Sequence, residues 1–357
     1  MTTSPVHRAV LILEVDGAGA HPAAWRLDPA GPANVLQASH TAKSVLAAES
    51  AGFHAVSFQD TRLAPEHGPD ARLDAIQRAA YLGPLTHSIG LLPVADAIYT
   101  EPFHLATQLS ALDSVSAGRG GWIVSGTGNP AEGAAVGRDA VAAEDLRTEI
   151  ADVVEVGRRL WDSWEDDAVI KDVDTGRYLD RTKVHYVDFT GQRFSIKGPA
   201  ISQRPIAGQL PIFAPEQLAE GHDAVLFGAP DLGALLEAAH AGAGTGRRFA
   251  EVEFLLDAAG ESAAARLETL NCWENTEPAH ARFVGSAEDF TAFLRTLLPL
   301  VSGVRLHPAV LSIDAAEFAA LVLPELRKSQ LLAPITTGNT LREVLGLPAA
   351  TNQFAAL

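Results

Sequence analysis

Residues 101–126, EPFHLATQLSALDSVSAGRGGWIVSG, hold one complete unit of the pattern that organises this chain. An amphipathic stretch from Pro102 to Val115 reads as a helix, with proline at the first helical position, where its missing N–H costs nothing. A glycine-rich turn then leads into a short apolar strand, Gly121–Val124. The wider stretch 118–137, GRGGWIVSGTGNPAEGAAVG, invites comparison with a phosphate-cradling loop, in which backbone N–H groups converge at a helix N-terminus. It contains no G-x-G-x-x-G and lacks the Lys-Ser/Thr ending of a P-loop, so its own residues read as a strand and a flexible turn.

The same alternation runs along the rest of the chain. Strands are expected at Arg8–Val15, Ala55–Phe58, Ser88–Val94, Gly121–Val124, Pro211–Ala214, Ala224–Phe227, Glu251–Leu256 and Gly303–Leu306. Helices are expected at Val35–Ala51, Asp70–Leu85, Pro102–Val115, Asp145–Trp161, Leu232–Ala241, Glu288–Leu298 and Ala315–Lys328, with a short one near Thr340–Leu345. Eight strands with helices between them predict an α/β fold, a single (β/α)8 TIM-barrel domain over 1–357; an open doubly wound sheet is the alternative. Residues 164–210 break the rhythm with turn signals and a hairpin, VHYVDFTGQRFSI, turning at Thr190-Gly191. An insertion of that length is expected over the catalytic face or in a subunit contact. Asp60, Val94, Val124 and His307 are expected near one rim of the barrel.

Composition narrows the function. Hydrophobic residues at 47% and charged residues at 20% are ordinary for a globular chain and argue against long disorder. A net charge of −17 repels phosphate backbones and anionic lipid heads, and no Lys/Arg cluster offsets it locally, so neither nucleic acid nor a membrane surface is an expected partner. Cys272, the single cysteine, can form neither an internal disulfide nor a thiolate metal cluster, which suits a reducing cytoplasm. The apolar run AVLILEV is too short to span a membrane and carries Glu14, so it reads as a buried first strand.

Several stretches resemble one family: HPAAWR (21–26), AGFHAVSFQD (51–60), EPFHLATQLSALDSVSAGRGGW (101–122), LWDSWEDDA (160–168), KVHYVDFTGQRFSIKGP (183–199) and GNTLREVLGLP (338–348). In that order they resemble the flavin-dependent monooxygenases of the bacterial luciferase-like superfamily, in the nitrilotriacetate and dibenzothiophene-sulfone monooxygenase branch. The resemblance implies a TIM barrel, a homodimer or larger assembly, and reduced FMN delivered by a separate flavin reductase to activate O2 against a small organic substrate.

It also implies an eroded flavin site. Where the family has an Asn and a Thr after strand four, this chain has Ile123 and Gly126; Val94 and Ala97 replace threonines at the end of strand three. The family's phosphate-holding His is missing, since no histidine lies between His104 and His185, and its Tyr position falls near Arg147. LPIFAPEQLAEGHDAVLF (210–227) is too short for the family's Gly-Ala-Ser loop. Asp60 matches a retained family Asp.

The cofactor-binding candidates are therefore Asp60 and Arg147; each also has a plainer reading, Asp60 as a loop carboxylate bonded to Thr61 or Arg62 and Arg147 as a surface partner of Glu144. His21, Trp25 and His307 are candidates for the substrate pocket, against the alternatives of core packing for Trp25 and a hydrogen-bonded buried histidine for His307. Glu101 and His104 are spaced like metal ligands but have no third ligand nearby, so no metal is expected. The residues single out no catalytic side chain. Two functions compete: a monooxygenase-like enzyme binding FMN weakly, and a non-catalytic barrel without flavin acting as a partner or regulatory subunit.

Overall fold

The computed structural model describes residues 8–29, 31, 36–64, 71–218 and 221–355. In chain order the strands are β1 (Val10–Glu14), β2 (Ala55–Phe58), β3 (Gly90–Asp96), β4 (Trp122–Ser125), β5 (Val169–Asp172), β6 (Arg177–Leu179), β7 (Phe189–Thr190), β8 (Ser195–Ile196), β9 (Ile212–Pro215), β10 (Ala224–Phe227), β11 (Arg248–Leu256), β12 (Ala281–Gly285) and β13 (Gly303–Pro308). The helices are α1 (Ala38–Ala51), α2 (Ala75–Leu82), α3 (Pro102–Val115), α4 (Pro130–Ala135), α5 (Ala143–Asp162), α6 (Leu232–Ala241), α7 (Ala263–Trp273), α8 (Ala287–Leu297), α9 (Leu311–Glu317), α10 (Leu323–Lys328) and α11 (Leu341–Val344), with a π-helical turn, Phe318–Val322, joining α9 to α10.

The parallel sheet runs β10-β9-β4-β3-β2-β1-β13-β11, and β10 pairs again with β11. That last pairing closes an eight-stranded barrel and excludes the open sheet. Each strand alternates between two cores. Val10, Ile12, Leu92, Ile123, Phe213, Leu226 and Phe249 fill the barrel interior, where Leu341 and Leu345 pack with them from the C-terminal segment. Their neighbours in sequence, such as Leu11, Leu13, Val124 and Ala214, face the helices in a larger outer core. Val124 lies one residue before the end of β4 and points outward, while Ile123 pairs with Val94 on the inside.

Local chemistry sets the helix boundaries. The Glu101 carboxylate caps α3 by accepting from the N–H groups of Phe103 and His104, which accounts for the Glu101/His104 spacing without a metal. Asp74 caps α2, Thr340 and Glu343 form a capping box on α11, and Gly52 ends α1 in the left-handed conformation. The helix expected from Asp70 starts at Ala75, and Asp70 and Val35 lie outside the described residues.

Three features mark this barrel, of which β12 and α7 lie outside the expected elements. First, β12 and α7 join the fold between the seventh and eighth barrel strands; β11 gives residues 248–250 to β10 and residues 252–256 to β12 along the same edge, so β12 continues the wall beyond the end of β10. Second, between β9 and β10 the described residues contain only the 3-10 turn Glu216–Leu218, so this crossover has no full helix. Third, the insertion does not cover the mouth. Its hairpin β7–β8 packs Val187, Phe189, Phe194 and Ile196 against Ala106 of α3 and Val156 and Leu160 of α5. Arg204 then binds Asp162 at the C-terminal end of α5, and Arg342 donates to the Gln209 carbonyl, which carries the insertion to the end of the barrel opposite the mouth.

Candidate functional site at the barrel mouth

Polar residues interrupt the inward-facing rows of β1, β2, β11 and β13 at their C-terminal ends, the face on which barrel active sites gather. Register places Glu14 beside Ser57, Glu251 beside Arg305 and Glu253 beside His307. The buried Arg305 guanidinium links them: Nη1 donates to Glu251 Oε1 at 2.9 Å, Nε to Ser57 Oγ at 3.0 Å, and Nη2 pairs with Glu14. The Ser57 hydroxyl donates to Glu14 Oε2 at 2.7 Å. His307 Nε2 lies 3.3 Å from Glu251 Oε1, and His280 Nδ1 lies 3.7 Å from Glu251 Oε2. The two imidazoles stack with centroids 4.5 Å apart. Glu253 pairs with Arg282 at 2.8 Å beside them.

Burial and charge set the protonation states. Burial pushes His307 down to about 4 and also lowers His280, so both rings are neutral near pH 7. Burial alone would raise Glu251, but the hydrogen bond to His307 and the charge of Arg305 outweigh it and hold the carboxyl below the ordinary range. Glu14 is raised, because burial exceeds the attraction of Arg305, and its Oε1 has no hydrogen-bond partner among the described residues.

A second feature is a cleft of about 430 Å3 at the ends of β2, β3 and β4, lined by Asp60, Arg62, Val94, Asp96, Gly126 and Thr127 among others. Asp60 accepts from Thr61 N at 2.8 Å and Ala75 N at 3.2 Å, so it ties the loop after β2 to the first turn of α2 while bordering the cleft. Burial raises its carboxyl. Arg62 donates to Asp96 at 2.8 Å. The wall is apolar at Val94 and bare at Gly126, where a Cβ would come within 2.7 Å of the Ile98 side chain.

The other sequence candidates scatter. His21 is buried and doubly engaged: Nδ1 accepts from Ala23 N at 3.2 Å and Nε2 lies 3.1 Å from Asn271 Oδ1, which clamps the loop after β1 to α7. Trp25 is half-buried under the Arg26 guanidinium, 4.5 Å from its ring centre, rather than packed as core. Arg147 is exposed on α5, whose Leu146 and Ile150 pack against the loop at 126–128. Only His307 of these lies in the buried mouth network. Glu14, Ser57, Glu251, His280 and Arg305 were not anticipated. The available signal was alternation: EVE at 251–253 and RLH at 305–307 put charged or titratable groups on one face of otherwise apolar strands.

Residues 20–264 match the luciferase-like monooxygenase family. N-acetyl-S-(2-succino)cysteine monooxygenase of Bacillus subtilis (strain 168) is 30% identical over 197 residues, covering 54% of this chain and 45% of that protein. Nitrilotriacetate monooxygenase component A of Aminobacter aminovorans is 31% identical over 206 residues, covering 53% and 46%. The matched region thus spans about half the length of these curated relatives. Among solved structures, EDTA monooxygenase (EmoA) from Chelativorans sp. BNC1 superposes with a TM-score of 0.79 at 19% identity, covering 96% of this chain and 99% of that one. Riboflavin lyase (RcaE), solved with modified FMN and riboflavin, gives a TM-score of 0.82 at 20% identity, covering 96% of each chain. At such identities these two likenesses establish the fold. No helix among the described residues is long and apolar enough to cross a membrane.

Proposed function

Since the chain belongs to the luciferase-like monooxygenase family, we propose that it is a monooxygenase-like oxidoreductase that takes reduced FMN from a separate reductase, holds it loosely, and acts on a small organic substrate. The observation that carries this reading is the cleft at the ends of β2, β3 and β4, on the face where barrel enzymes bind their substrates. The cleft suits the ring end of a flavin better than the phosphate end. Val94 offers an apolar wall and Asp60 borders the opening, but among the described residues the crossover after β9 holds only the 3-10 turn Glu216–Leu218 and no α-helix N-terminus for a phosphate. The first turn of α5 carries Glu144 and Asp145, which repel one; Arg147, in the next turn, is the cation we assign to it.

Reduced FMN, when bound, supplies the activation of O2; the chain's part is to position the substrate and exclude water. Asp60 fixes the cleft's edge through its two backbone bonds, and the buried Ile123–Val94 pair keeps the adjoining barrel interior dry. The test is titration of the purified protein with oxidised and reduced FMN, read by flavin absorption and fluorescence. We expect a colourless protein that binds oxidised FMN no tighter than about the high-micromolar range, and reduced FMN more tightly. Nanomolar binding of oxidised FMN overturns the loose site.

The absence of an α-helix among the described residues between β9 and β10, with Ile123 and Gly126, favours a second reading: a non-catalytic barrel acting as a partner or regulatory subunit. Absence of binding by either redox form decides for it.

The assembly we propose is a homodimer. We place its contact on the insertion, where Val173, Tyr178, Tyr186, Ile201 and Ile206 are exposed, because the chain's own hairpin already packs on α3. Light scattering that shows a monomer at micromolar concentration removes this assembly.

A further inference from the structure

We propose that Glu251, His280 and His307 form a binding site for a divalent transition metal of the zinc class, on the wall of the barrel mouth across from the Asp60 cleft. Among the described residues this is the group of His, Cys, Asp and Glu side chains whose ligand atoms converge, all within 4.8 Å of one another. The separations of 3.3 Å from Glu251 Oε1 to His307 Nε2 and 3.7 Å from Glu251 Oε2 to His280 Nδ1 are close to the roughly 3.3–3.5 Å between neighbouring ligands on a tetrahedral zinc ion with bonds of about 2.0–2.2 Å. Two imidazoles and one carboxylate are a recurrent donor set for such ions and leave a coordination position open.

The surroundings are those of a prepared site. Glu251 sits on β11, His307 on β13 and His280 immediately before β12, so three paired strands fix the ligands. Arg305 holds Glu251 Oε1 from behind, as second-shell partners of metal ligands do, and is itself paired with Glu14. Two carboxyl groups thus share one guanidinium in a buried network, so Arg305 does not serve Glu251 alone. The His280 side chain is 23% exposed, which opens a route from solvent. Residue 228 is glycine, and a Cβ there would stand 3.2 Å from His280 Nδ1, the nitrogen facing Glu251.

This inference rests on no part of the flavin reading, and its test contains no flavin. The full chain, stripped with a chelator, is titrated with Co2+ and followed by visible ligand-field absorption. We expect saturable binding of one ion per chain, displacement by Zn2+, and a melting temperature that rises with Zn2+ concentration. His280→Ala, at the exposed end of the triad, and His307→Gln should each weaken Co2+ binding by at least about tenfold, the scale at which even outer-shell changes act. His104→Ala, on the exposed face of α3, should bind as wild type does. Circular dichroism establishes that each variant is folded. Absence of a Co2+ spectrum in the wild type overturns the proposal, as does undiminished binding in either folded triad variant.

Discussion

Arg305 Nη1 and Glu251 Oε1 meet at 2.9 Å inside the barrel, on directly paired residues of the seventh and eighth barrel strands. Both side chains are buried, so neither charge has water to fall back on. Arg305→Met should therefore cost about 3–5 kcal/mol in urea unfolding, because it strands two carboxylates. Adding Glu14→Gln and Glu251→Gln should recover most of that loss. A single variant as stable as wild type would show that the guanidinium is not compensating the carboxylates.

His307 carries a pH signature. Its folded value of about 4 lies below the ordinary 6.5, so protonation favours the unfolded chain. Stability from this group is whole above pH 6.5 and is lost as pH falls toward 4, by about 3 kcal/mol over the window. The stability difference between wild type and His307→Gln should change by that amount between pH 6.5 and 4 and stay constant above it. A difference that stays constant throughout would count against the buried neutral imidazole.

Asp113 should behave in the opposite sense. Burial pushes its carboxyl up to about 6, although Oδ2 accepts the Ala207 N–H at 3.1 Å. The protonated form is favoured in the fold, so stability falls as pH rises from 3.8 to 6 and stays reduced above that, by about 3 kcal/mol. Asp113→Asn keeps an acceptor for Ala207 and should gain on wild type between pH 4 and pH 8. A constant difference between the two proteins over that range would refute the assignment.

The phosphate assignment is tested at Arg147. Riboflavin should bind more weakly than FMN, Arg147→Ala should abolish the difference, and raised salt should weaken FMN alone, because an exposed ion pair is screened over about 10 Å at 0.1 M ionic strength. Equal affinities of the wild type for riboflavin and FMN would take Arg147 out of the site.

The barrel was legible in the sequence because each strand is a short apolar run bounded by turn residues, and even the gap between β9 and β10 left no room for a predicted helix. α7 escaped notice: Glu268 and Asn271 interrupt its apolar residues and Cys272 is exposed, so AAARLETLNCW shows little amphipathic contrast. The mouth network was less legible for another reason. Glu14 and Glu251 fall on expected strands, but no spacing in the sequence pairs them with Arg305 until the strands align, and His280 reaches His307 only because β12 adds to the edge of β11. Asp60 was readable as a loop carboxylate from its neighbour Thr61, but its second bond, to Ala75, depends on how the loop returns to α2.

Because β12 carries the wall upward beyond the end of β10, the rim of the barrel is uneven. The cleft lies across the mouth from that raised wall, at the ends of the second, third and fourth strands. The histidine wall and the cleft are thus two separate surfaces of one mouth, and a ligand that touches both has to span it.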